Sequence, residues 1–146
     1  MTNMLKATVI INGCRPLLWH HFGPDSLPLV KTEKKGVAGN NPEEWKKTVL
    51  YDENNQLYLE PSYIFACLRD GARYTKKGRG SLQSSVTATL QVLDDKILVD
   101  RYLPEEITTD PNKPVFLDIR SVKNPGTKSR NIRYRVAASK DWHIIF

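Results

Sequence analysis

QLYLEPSYIFACLRDGARYTKKGRGS, residues 56–81, passes from strand to helix to basic loop in one stretch. Leu57, Tyr58 and Leu59 form a short apolar, β-prone run. Glu60-Pro61-Ser62 stops that strand and starts a helix, with Ser62 expected as its N-cap. Ile64, Phe65, Leu68 and Ala72 recur at helical spacing, which predicts a stripe facing a core, with Arg69, Asp70 and Arg73 on the other side. The helix then delivers Tyr74-Thr-Lys-Lys-Gly-Arg-Gly-Ser81, a basic glycine loop with one aromatic. Such a loop can grip phosphate. The plainer alternative is a solvated helix end, where the dipole favours Lys and Arg anyway.

The rest of the chain is read outward from that stretch. Its 146 residues suit a single domain, here 1–146, and the composition is that of a globular protein. No apolar run reaches the length of a membrane helix, and the first residues lack the charged and apolar regions of a signal peptide, so no membrane contact and a cytoplasmic location are expected. Cys14 and Cys67 fall in a predicted strand and a predicted helix; a buried, reduced pair is expected, with no disulfide framework and no metal spacing. Lys6 to Asn12 is a continuous β-branched run, which predicts a strand covered on both faces or at a sheet centre. Leu17 to Phe22 predicts a short extended run between two prolines. Residues 23–41 read as a long flexible loop carrying Lys31, Lys34 and Lys35. Asn41 to Trp45 opens a helical turn, and 48–51 with 56–59 reads as a hairpin across Asp-Glu-Asn-Asn. A second helix is expected from Leu82 to about residue 88, followed by strands at 90–93 and 96–99. Val115 to Val122 and Asn131 to Ala137 alternate as half-buried strands, and Trp142 to Phe146 is a last strand.

Charge is distributed unevenly. The formal net charge is +6. Arg120, Lys123, Lys128, Arg130, Arg133 and Arg135 follow one another with no acid between them, while acids gather at Asp94-Asp95 and from Asp100 to Asp110. Such asymmetry points to a polyanionic partner.

Few residues suggest chemistry. His20-His21 could supply a base, but the only other histidine is His143, and no acid or thiol stands at ligand spacing. Asp94, Asp95 and Asp100 could hold a metal ion, although an acidic pair between apolar runs reads better as a polar turn. Walker, dinucleotide-binding and serine-hydrolase motifs are absent. No metal and no cofactor are expected. The strongest site is a binding one: Tyr74, Lys76, Lys77 and Arg79 with Lys123, Lys128, Arg130, Arg133 and Arg135. Exposed rings that stack bases beside phosphate-binding cations are how single strands are held without sequence preference.

Gly13-x-x-Pro-Leu-Leu18-x-His20 after the first strand, Leu59-x-Pro61-Ser62 with Leu68-x-x-Gly71-Ala72, the Lys76–Gly80 loop and Arg133-x-Arg135 with Trp142 together resemble the RAMP superfamily. Its members include backbone subunits of CRISPR effector complexes, central to antiviral defence, and relatives carried by phages and mobile elements. The resemblance implies an α+β fold: a modified ferredoxin-like (RRM-like) antiparallel sheet with one main helix, long basic loops and a thumb-like hairpin. Here it would be a shortened form, ending within its last strand and lacking the C-terminal glycine-rich RNA-binding loop. The function implied is a non-catalytic subunit of a ribonucleoprotein or filament, holding single-stranded nucleic acid, RNA rather than DNA, and assembling with itself or into a larger complex. Two alternatives stand beside it: a protein-interaction module that inserts into such a complex, like an anti-CRISPR, and a metal-independent ribonuclease using His20 or His21.

Overall fold

A computed structural model describes residues 4–24, 41–123, 125–126 and 128–146. The chain is α+β with antiparallel sheets. Four strands, β1 (Ile10–Asn12), β3 (Gln56–Leu59), β6 (Ile97–Tyr102) and β9 (His143–Ile145), make one sheet in the order β1-β9-β6-β3. A second sheet runs β2-β8-β7, from β2 (Leu17–Leu18), β7 (Val115–Lys123) and β8 (Arg130–Ala138). A two-stranded hairpin, β4 (Lys76–Lys77) and β5 (Gly80–Ser81), stands apart. Helices are short: α1 (Trp45–Thr48), α2 (Pro61–Gly71) and α3 (Gln83–Thr89), with a 3-10 turn at Ala72–Tyr74. The expected loop at 23–41, with Lys31, Lys34 and Lys35, falls largely outside the described residues.

The core draws on both main sheets. Leu57, Ile97, Val99 and Ile144 from the first meet Val115 and Val136 from the second, with Trp19, Val49, Leu50 and Ile64 around them. Each fully buried aliphatic side chain contributes about 1.5–3 kcal/mol by leaving water. Trp19 crosses between the sheets: its indole Nε1 donates to Tyr58 O at 2.9 Å while its backbone N donates to Val136 O. The Asp52 carboxylate accepts from the amides of Asn54 and Gln56, and Asn55 takes the left-handed conformation at φ 61°, so the chain turns where the polar run placed it; of the expected hairpin only Gln56–Leu59 is a strand, since Thr48 ends α1 and Tyr51 pairs with Leu57 in an isolated bridge.

Gly13 shows why no larger residue fits after β1. A Cβ built there would lie 2.0 Å from the Trp142 ring, whose Nε1 donates to Arg15 O. Only a residue without a side chain allows that approach.

Several expectations from the sequence are corrected. The first strand is an edge, not a centre: among the described residues β1 pairs only with β9, and Ile10 is 62% exposed. The last strand does form as expected, as His143–Ile145, and is an inner one, flanked by β1 and β6 (Ile10↔Ile145 and Val99↔Ile144). The expected strand at 90–93 does not form, and Val92 packs against the core from irregular backbone. Glu60, not Ser62, caps α2: its ψ of 139° is extended, Pro61 takes the first helical position, and the Ser62 hydroxyl turns back to Glu60. Leu68 is 42% exposed rather than core, because α2 buries only Ile64, and the next buried residue, Ala72, belongs to the 3-10 turn that follows. Cys14 and Cys67 are both exposed and free.

Candidate nucleic-acid interface

The stretch expected to be a basic loop is a hairpin. Lys76 pairs with Ser81 and Lys77 with Gly80, leaving Gly78-Arg79 as a two-residue turn. Gly78 has φ 59°, the left-handed conformation that such turns demand at their first position and that glycine adopts without penalty. The hairpin is docked rather than loose: Leu82 N donates to Thr75 O, and Lys77 Nζ donates to Ser85 Oγ at 2.7 Å on α3. Beside it lies an open concavity of about 770 Å³, lined by Lys77 and by hydroxyl and amide side chains including Ser81, Gln83, Ser84 and Ser85. Tyr74, 86% exposed, ends the 3-10 turn immediately before β4. Lys76, Lys77 and Arg79 have no carboxylate within ion-pairing range among the described residues.

Strands β7 and β8 form the second part. Nine residue pairs, from Val115↔Ala138 to Lys123↔Arg130, make a two-stranded arm about 30 Å long. Its base is buried through Val115, Phe116, Asp118, Val136, Ala137 and Ala138. Beyond Asp118 every residue of β7 is exposed, so the distal half has solvent on both faces. Lys123 and Arg130 sit opposite one another near the tip, and Lys128, in the connecting turn, has φ 60°.

Register sorts the arm's charges. Residues directly opposite share a face, so Asp118, Arg135, Arg120 and Arg133 stand together on one side. Asp118 lies within the base with its side chain only 8% exposed. Arg120 Nε donates to its Oδ1 at 2.7 Å, and Arg135 Nη2 is 3.5 Å from Oδ2, an ion pair without a hydrogen bond. Arg133 Nη1 donates to Oε1 of Glu44, the N-cap of α1, at 2.5 Å. The arginines Arg120, Arg133 and Arg135 are thus tied to carboxylates, and within the arm Lys123, Lys128 and Arg130 are the cations with no acid in reach among the described residues.

The two histidines face different surroundings. His20 sits by Glu44, Arg133 and Arg135; partial burial, reinforced by both guanidiniums and opposed by Glu44, holds its pKa below the usual imidazole range. His21 Nδ1 lies 2.5 Å from Tyr63 Oη, and its Nε2 is 4.0 Å from Glu60 Oε1. Burial, then the neighbouring Glu60 charge, raises the Tyr63 phenol. The third histidine was overlooked in the sequence as a partner for Asp100: His143 Nδ1 is 2.8 Å from Asp100 Oδ2, its backbone N donates to Oδ1, and Arg101 Nη1 closes the same carboxylate. Among the described residues no group of three or more His, Cys, Asp or Glu is placed to hold a metal ion.

Glu44 and Asp118 are the functional neighbours that sequence reasoning missed. Asp118 belongs to an alternating pattern that says which residues share a face but not which strand comes opposite. Glu44 is separated from Arg133 by 89 positions, with no local signal.

The chain matches no family model, no curated protein and no solved structure. Among the described residues no helix is long and apolar enough to cross a membrane.

Proposed function

We propose that the protein is a non-catalytic nucleic-acid-binding subunit of a RAMP-like ribonucleoprotein or filament, holding single-stranded RNA in preference to DNA by its backbone. The observation that carries this reading is the distal arm. It exposes both faces, and Lys123, Lys128 and Arg130 gather at its end without acidic partners among the described residues. The β4–β5 hairpin adds Lys76, Lys77 and Arg79, with Tyr74 exposed for stacking. In this reading the four-stranded sheet is a modified ferredoxin-like core, the arm is its thumb-like hairpin, and the working form is a self-assembly or a larger complex in the cytoplasm.

Fluorescence anisotropy with labelled single-stranded RNA, single-stranded DNA and duplex tests this reading. RNA is expected to bind tightest and to remain intact on a gel afterwards. Equal, weak binding of all three would overturn it, and strand cleavage lost in His20→Ala or His21→Ala would replace it with the ribonuclease alternative.

A second reading has its own observation. Ile119, Val122 and Ile132 are exposed apolar side chains on the arm, which a phosphate backbone does not require. A protein-interaction module that inserts into a ribonucleoprotein would use them. It predicts negligible affinity for free nucleic acid and a stable complex with a protein partner.

A further inference from the structure

Arg133 and Glu44 differ in how they meet solvent. The Arg133 side chain is 39% exposed, whereas the Glu44 carboxylate that holds it is 14% exposed. Of the two side chains, Arg133 is the more open to solvent. Arg133 also lies directly opposite Arg120 in the ladder, a like-charge pair that would repel without carboxylates beside it. Asp118 answers for Arg120 and Arg135 from inside the arm's base, where nothing can displace it. Glu44 answers for Arg133 from outside the arm, at the N-cap of α1.

Carboxylate and phosphate compete for the same hydrogen-bonding edge of a guanidinium. We infer that Glu44 sets how many phosphates the arm can take, by standing where a phosphate oxygen would otherwise meet Arg133. Glu44 is then a specificity-determining residue of the interface, although it is acidic and lies outside both basic segments. The inference rests on the nucleic-acid reading above. It makes an unusual demand: replacing this one acid must strengthen binding through one named arginine.

The control is provided by the same turn. Glu43 carries the same charge one residue away, is exposed, and pairs with Lys46 instead of the arm. A labelled single-stranded oligouridylate is titrated at several salt concentrations against the parent, Glu44→Gln, Glu43→Gln, Arg133→Ala and Glu44→Gln/Arg133→Ala. Glu44→Gln is expected to bind several-fold tighter at low salt, with a log–log salt slope steeper by about 0.7, one phosphate on a single strand. Glu43→Gln should leave the slope close to the parent's. Arg133→Ala should remove the whole gain of Glu44→Gln, so that the double variant binds no tighter than Arg133→Ala alone. Thermal melting checks that each variant is folded; if Glu44→Gln is not, Glu44→Asp, which retracts the carboxylate by one methylene, must gain affinity in the same direction. An unchanged slope in Glu44→Gln, an equal gain in Glu43→Gln, or a gain that survives Arg133→Ala would overturn the inference while leaving nucleic-acid binding intact. Absence of binding by parent and variants alike at low salt would overturn the nucleic-acid reading itself.

Discussion

In the β4–β5 hairpin, Lys76, Lys77 and Arg79 stand exposed with no carboxylate in ion-pairing range among the described residues. On the β7–β8 arm, Arg120, Arg133 and Arg135 are each matched to Asp118 or Glu44. Both regions read as equally basic along the sequence. Only the register of the strands and the position of Glu44 separate charge with no carboxylate beside it from charge already paired to one. The difference also assigns tasks. The hairpin cations can be removed without disturbing the body of the protein, whereas the arm arginines belong to its structure.

Asp118→Ala should break that comparison hardest. It leaves Arg135, 21% exposed, without its buried carboxylate, while Arg120, 61% exposed, falls back on water, so the loss should be about 1–3 kcal/mol, that of an unpaired, largely buried donor. Urea denaturation should show a loss of that size. A loss under about 1 kcal/mol, the range of surface pairs, would mean the arm arginines are as free as those of the hairpin. The triple replacement of Lys76, Lys77 and Arg79 by Ala should do the reverse. Stability should stay within about 0.5 kcal/mol of the parent, while the salt slope for single-stranded RNA becomes shallower by about 2, three phosphates' worth.

Helix α2, which leads into the hairpin, gives a second contrast. Ile64→Ala should cost about 2–5 kcal/mol, and Leu68→Ala, at a 42% exposed position, less than about 1 kcal/mol. Equal losses would restore the full apolar stripe expected from the sequence. The smallest effect concerns His20. Its pKa is depressed in the folded protein, so the unfolded chain takes up the proton first as pH falls. Its contribution to stability is therefore complete above the ordinary imidazole value of 6.5, declines as pH drops below it, and is gone below the folded pKa. Histidine NMR titration should find the His20 pKa raised in Arg133→Ala, since a lowering charge is removed and Glu44 remains. A fall would show that Arg133 does not face His20.

Much of the α+β pattern was legible because it is written in short periods. The polar turn at 52–55 with the strand after it, the alternation of β7 and β8 and the helix from Pro61 all follow from neighbouring residues. What the sequence hid was pairing at long range. The β-branched run before Gly13 suits a covered central strand, but the sheet order places it at an edge. Trp142-His-Ile-Ile-Phe146 has the same local character and lies at the centre of the sheet. Leu68 obeys helical spacing, yet the core reaches only the face of α2 around Ile64. In the candidate site the cations themselves were visible, and so was the glycine that turns the hairpin. Their state was not: whether an arginine is free depends on Glu44 and Asp118, which the topology brings to it.

The most direct test of this account is the salt dependence of single-stranded RNA binding by the unmodified protein, measured by anisotropy from low to moderate salt. With Lys76, Lys77, Arg79, Lys123, Lys128 and Arg130 unpaired among the described residues, the log–log slope should be steep and negative, to a limit of about −4 at 0.7 per phosphate. A flat response would contradict the claim that these cations form the interface.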